Sequence, residues 1–120
     1  GTWRGKVVRV TAYPAAEALR FEVLLSPAVD DTAAPGRKLS QVTVYADLLP
    51  NLRPNDWVVF RGRQFCIRPD PASGKLESGH LSGIWEVTLD DRDTPAIQAA
   101  LGAAQPFTRA PGQPECSKTP

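Results

Sequence analysis

The sequence contains no methionine, one histidine and two cysteines. No apolar run approaches the ~20 residues of a membrane-spanning helix, and no basic start followed by an apolar stretch marks a retained secretory signal. The missing methionine, even at position 1, leads us to expect that an initiator was removed or that the chain is a piece of a longer one. With His80 as the single imidazole, a His-rich metal site is excluded and a Ser/His/Asp triad would depend on that residue alone. Its setting, ESGHLSG, reads as a solvated Gly/Ser loop.

A charge excess is also missing. Fourteen Lys and Arg face 13 Asp and Glu, for a net charge of +1. Domains whose main task is to grip a nucleic-acid backbone usually carry a marked basic surplus. Cys66 and Cys116 fit no zinc-site spacing, one in an apolar strand-like run and the other in a Pro-rich tail. We expect both to be free thiols in a reducing compartment. Neither a metal nor a cofactor is expected.

What is present describes a small all-β domain. The 120 residues fit one core, and 12 prolines with 9 glycines disfavour long helices. Residues 6–13 alternate, with Val8, Val10 and Ala12 on one face, and residues 19–25 alternate with Phe21, Val23 and Leu25 together. Between them, residues 14–18 read as a turn or short helical patch. Residues 39–47 form a third run, and residues 48–56, LLPNLRPND, read as a bend. Residues 57–60 and 63–67 are expected as a hairpin turning at Arg61-Gly62, where glycine supplies an unusual dihedral. Residues 84–89 close the series. Two stretches, 26–38 and 68–83, carry Pro and Gly without apolar periodicity and read as long loops. The expected fold is a small antiparallel β-barrel of about six strands over residues 1–93. A short helix from Thr94, capped by Thr94 and ended by Gly102, and an extended Pro-rich tail that adds little to the core complete residues 94–120. Trp57 and Trp85, each in an alternating run, are expected in the core.

No nucleophile–base arrangement and no phosphate-cradling Gly loop is apparent. The acid pairs Asp30-Asp31 and Asp90-Asp91 read as solvated or capping groups, so the chain is expected not to be an enzyme. Arg53, Arg61, Arg63 and Arg68 interleave with Trp57, Phe60 and Phe65. That mixture suits base stacking on an oligonucleotide-binding barrel, though the same aromatics are needed for packing and the arginines also suit an acidic protein partner.

The order of segments carries a resemblance. VTAYP at 10–14, VTVY at 42–45, the stretch 55–67 around Gly62, and IWEVTL closing at 84–89 resemble the bacteriophage head-tail stopper family, also called head closure proteins. The likeness covers about two thirds of the chain. Asn55 stands where a glycine is typical, and nothing after Thr94 has a counterpart. The resemblance implies a non-enzymatic virion protein of the phage neck, present in the host cytoplasm during assembly. It would form a homo-oligomeric ring between a portal or adaptor on the head side and a terminator or tube protein on the tail side. Such a ring seals packaged DNA without sequence readout and involves no membrane. On that reading the 26–38 loop, with Asp30, Asp31, Arg37 and Lys38, projects into the channel. Arg61, Arg63, Arg68, His80, Asp90, Asp91, Phe107 and Arg109 are expected at subunit or partner contacts. An oligonucleotide-binding barrel module, or another neck component such as a tail terminator or minor capsid protein, is the alternative.

Overall fold

The structure, a computed structural model, describes residues 1–14, 19–32, 35–47, 51–109 and 111–116. Residues 15–18 of the expected turn at 14–18, residues 48–50 of the expected bend at 48–56 and the last residues of the tail lie outside these. Among the described residues, seven strands and one helix run in the order β1 (Thr2–Pro14), β2 (Leu19–Asp30), β3 (Arg37–Leu39), β4 (Gln41–Ala46), β5 (Trp57–Pro69), β6 (Leu76–Leu89), α1 (Thr94–Ala103) and β7 (Gln105–Pro106).

Five of these strands close a barrel in the order β1-β5-β6-β4-β2, with β2 returning to β1. The expected small all-β barrel is therefore present, but it is mixed: β4 runs parallel to β6, as Val42↔Gly79 and Val44↔Leu81. Alternation explains the lining. Val23 and Leu25 of β2, Val42 and Val44 of β4, and Val58 and Phe60 of β5 are all fully buried. These side chains share one face because every second residue of a strand points the same way.

The two expected long loops are mostly strand. Residues 26–30 continue β2 to pair with β3, as Ala28↔Leu39 and Asp30↔Arg37, despite Pro27. Residues 76–83 belong to β6, and only a tight turn remains, where Gly74 at φ 72° donates its N–H to the Asp70 carbonyl at 2.8 Å. Nor is there a hairpin at Arg61-Gly62. Residues 57–69 form one strand with a register shift at that point. Gly62 is needed there for space, since a Cβ would lie 2.7 Å from the Ser82 carbonyl oxygen.

β1 also differs from expectation. It begins at Thr2, so the inward set starts with Trp3, Gly5 and Val7, while Val8 and Val10 are exposed. Register shifts around Val7 break the simple alternation. β5 pairs with β1 only from Thr2 to Lys6, and Val7 adds two hydrogen bonds with Asn55 and Asp56 at 2.8 Å. Beyond Val7, β1 pairs among the described residues on one side, with β2.

The tail is part of the core. β7 lies parallel to β3, and Phe107, expected at a contact surface, is 4% exposed. Its ring stands 6.1 Å from Trp3 and 5.8 Å from Phe65, with Trp3 and Phe65 stacked at 5.0 Å. Trp57 is half-buried and Trp85 is exposed, so the large buried indole is Trp3 instead. The helix N-cap is Asp93, whose carboxylate accepts the Ala96 N–H at 2.9 Å, and its C-cap is Ala104.

Candidate functional site

The residues expected to project into a channel are tied down. Asp30, at the end of β2, is buried and accepts from the Thr32 N–H and from the Arg37 guanidinium at 2.6 Å. Burial alone would raise its pKa, but the hydrogen bonds from Thr32 and Arg37 outweigh that and hold it below the usual Asp value. Arg37 in turn lies 4.7 Å above the centre of the Phe107 ring, a cation–π distance. Lys38 keeps its side chain on the surface, while its backbone carbonyl accepts the Phe107 N–H.

Asp31 and Asp90 belong to a closed circuit of ion pairs. Arg4 of β1 bonds Asp31 at 2.9 Å, and Asp31 bonds Arg92 at 2.8 Å. Arg92 grips Asp90 at 2.8 Å, and Asp90 approaches Arg4 at 3.5 Å. The circuit joins the first strand to the segments that follow β2 and β6. At Asp90 burial pushes the pKa up and the Arg92 contacts more than reverse it, leaving the carboxyl below its ordinary value. Arg92 is correspondingly held charged. Asp90 is thus neutralised within the barrel, while its neighbour Asp91 stays exposed. Arg4 and Arg92 were not foreseen; the signal was Asp90-x-Arg92, a spacing at which the arginine folds back on the acid.

The remaining expected contact residues separate into two groups. Arg61 and Arg63 sit at the β5–β6 irregularity with Trp85. Arg61 pairs Glu86 at 3.4 Å, its guanidinium lies 6.0 Å from the Trp85 ring centre, and Arg63 is exposed. Arg68 and His80 lie together on the outer face of β5 and β6. There the His80 ring meets Tyr45 of β4 edge-on at 5.4 Å, and burial followed by the nearby Arg68 charge lowers the imidazole pKa. His80 is therefore a half-buried strand residue, not a loop histidine. Arg109 pairs with Glu115 on the surface.

Three features escaped the sequence reading. Cys66 and Cys116 form a disulfide with Cα atoms 4.9 Å apart, not free thiols. His80 is the cross-strand partner of Cys66, so it stands beside that bond. Tyr13 and Tyr45 are both exposed on the outer surface, with the Tyr13 hydroxyl donating to Glu22 at 2.9 Å. No family model, curated protein or solved structure matches this chain. The class that fold and surface define is a small closed barrel whose acids, among the described residues, are largely committed to holding it together.

Proposed function

We propose that the protein is a structural ring component of a phage neck, a head-tail stopper or a close counterpart. The ring would link a portal or adaptor to the tail and retain DNA in its channel. The observation that carries this reading is the unfinished edge of β1. Among the described residues, 8–14 pair on one side, with β2, and expose Val8, Val10 and Tyr13. Unpaired strand edges are templates for pairing with another chain. A β1 edge that docks on a different surface of the next copy is a heterologous contact, the geometry that closes rings. The order of segments described from the sequence supplies the phage context. Because Asp30, Asp31 and Arg37 are bound into the barrel, a channel-facing role falls to Lys38 and its exposed neighbours.

One observation favours a second reading, an oligonucleotide-binding module. Counting only the barrel strands in chain order, their arrangement is first-second-third-fifth-fourth, with the third and fifth parallel. That order resembles the five-stranded Greek-key barrel of oligonucleotide-binding folds and supports this reading. Tyr13 and Tyr45 with exposed Arg9, Arg20 and Arg68 offer stacking and phosphate contacts.

Native mass spectrometry of the purified chain, with and without single-stranded DNA, separates the two. The neck reading expects a closed homo-oligomer without DNA, reduced to monomer by Val8→Lys/Val10→Lys, a double change at exposed positions that leaves the barrel folded. A monomer at every concentration that instead binds single-stranded DNA with a steep salt dependence overturns it in favour of the module.

A further inference from the structure

We propose that Cys66, His80 and Cys116 form a redox-gated site for a thiophilic divalent cation such as Zn²⁺, closed while the disulfide stands and opened by its reduction. Both sulfurs and one ring nitrogen of His80 lie within 4.8 Å of one another. Two cysteines and one histidine are a recognised zinc ligand set, with the fourth position left to water. The edges of a tetrahedral Cys₂His site are ~3.5–3.8 Å, from Zn–S of about 2.3 Å and Zn–N of about 2.0 Å. The imidazole therefore needs to close by only about an ångström while the two sulfurs part.

Backbone pairing, not the sulfur bond alone, keeps the three ligands together. His80 and Cys66 are direct partners across β6 and β5. On the far side of β5 the segment carrying Cys116 runs parallel to it. The Ile67 N–H donates to the Pro114 carbonyl at 3.1 Å, and the Cys116 N–H donates to the Ile67 carbonyl at 2.8 Å. Phe107 anchors the same tail in the core, nine residues before Cys116 in chain order. After reduction these contacts hold Cys116 beside Cys66, so two thiols replace the disulfide at one place. Tyr45, edge-on to the His80 ring, limits its rotation.

The chemistry balances with a dithiol reductant. One dithiol gives two electrons and two protons to the Cys66–Cys116 bond and leaves as its own disulfide. The cation then displaces both protons from the new thiols and takes the His80 lone pair. Two thiolates neutralise the divalent charge, so the neighbouring Arg68 does not oppose binding. The sequence spacing concealed this site because its ligands come from two strands and the tail, which are adjacent only in the folded chain.

The test titrates Co²⁺, with Zn²⁺ as competitor, into the full chain before and after dithiol reduction. Visible absorption reports tetrahedral thiolate ligation, and circular dichroism follows the fold. The reduced chain is expected to stay folded and bind one equivalent, and the oxidised chain none. His80→Ala should weaken binding by at least the roughly 10- to 100-fold that loss of a supporting residue costs a metal site, and Cys116→Ser should abolish the thiolate bands. Equal binding by the oxidised chain, unchanged affinity in His80→Ala, or a reduced chain that neither stays folded nor takes up the ion overturns the proposal.

Discussion

Trp3 and Trp85 belong to one barrel, yet Trp3 is 1% exposed and Trp85 is 56% exposed. Both sit on strands beside β5, and both have arginines near them. The difference lies in what covers them. Trp3 is roofed by Phe65 and by Phe107 arriving from the tail. Trp85 occupies the extra position created where the β5–β6 register shifts between Arg61 and Gly62, with the Arg61 guanidinium beside its ring. An indole's fate here is decided by distant chain and by a bulge, not by its own alternating run.

The largest expected effect tests the roof. Trp3→Ala or Phe107→Ala should destabilise the monomer by about 3–5 kcal/mol, as other buried aromatics do, measured by urea unfolding. A loss under ~1 kcal/mol at Phe107 would mean that the tail is an accessory and not a lid. Next comes the covalent tie on that side. Reducing the disulfide, or making Cys66→Ser/Cys116→Ser, should cost about 2–4 kcal/mol, since the bond closes a long loop in the unfolded chain. The midpoint should fall without loss of the folded baseline.

Acid provides a third, graded test. Asp30 and Asp90 are held below their ordinary values when folded. Their contribution is therefore fully present above the unfolded value of about 3.9 and lost as pH falls through the lower folded values. His80 is also lowered from 6.5. Below that pH the unfolded chain takes up a proton that the folded chain refuses, so stability starts to decline there. Thermal melts from pH 7 to 2.5 should show a shallow fall near pH 6 and a steep one below pH 4. Asp30→Asn should blunt the steep limb, and His80→Gln the shallow one. The smallest effect is expected at the exposed indole: Trp85→Ala should change monomer stability by no more than about 0.5 kcal/mol. Should it cost several kcal/mol, the contrast between the two tryptophans fails.

Much of the barrel was legible because its strands alternate cleanly. Phe21, Val23 and Leu25 fall on one face as expected, and the runs around Val42 and Val87 are strands. What misled were residues whose local chemistry says loop. Gly79 sits inside a strand because Ile67 pairs with it, and Pro27 because the next residue, Ala28, pairs with Leu39. Trp3, Gly5 and Val7 extend the same alternation upstream, a signal available in the sequence but broken by the register shifts beside Val7. Of the expected site residues, Arg63, Arg68, Asp91 and Arg109 are on the surface, whereas Asp30, Asp31, Asp90 and Phe107 hold the fold together. The partners of Asp31 cannot be read from its neighbours, because Arg4 lies 27 residues before it and Arg92 61 residues after it. The disulfide was hidden for the same reason.

The lid over Trp3 also has a consequence for synthesis. Chains emerge from the ribosome N-terminus first, so every barrel strand from β1 to β6 is exposed before residues 105–107 appear. During that interval Trp3 and Phe65 present an uncovered aromatic surface, and β3 lacks the strand that will lie beside it. The nascent protein passes through a stage at which it is most prone to stick to its neighbours. A chain interrupted between Leu89 and Gln105 would stay at that stage, a well-formed sheet with an exposed aromatic face, and would be a natural substrate for chaperones.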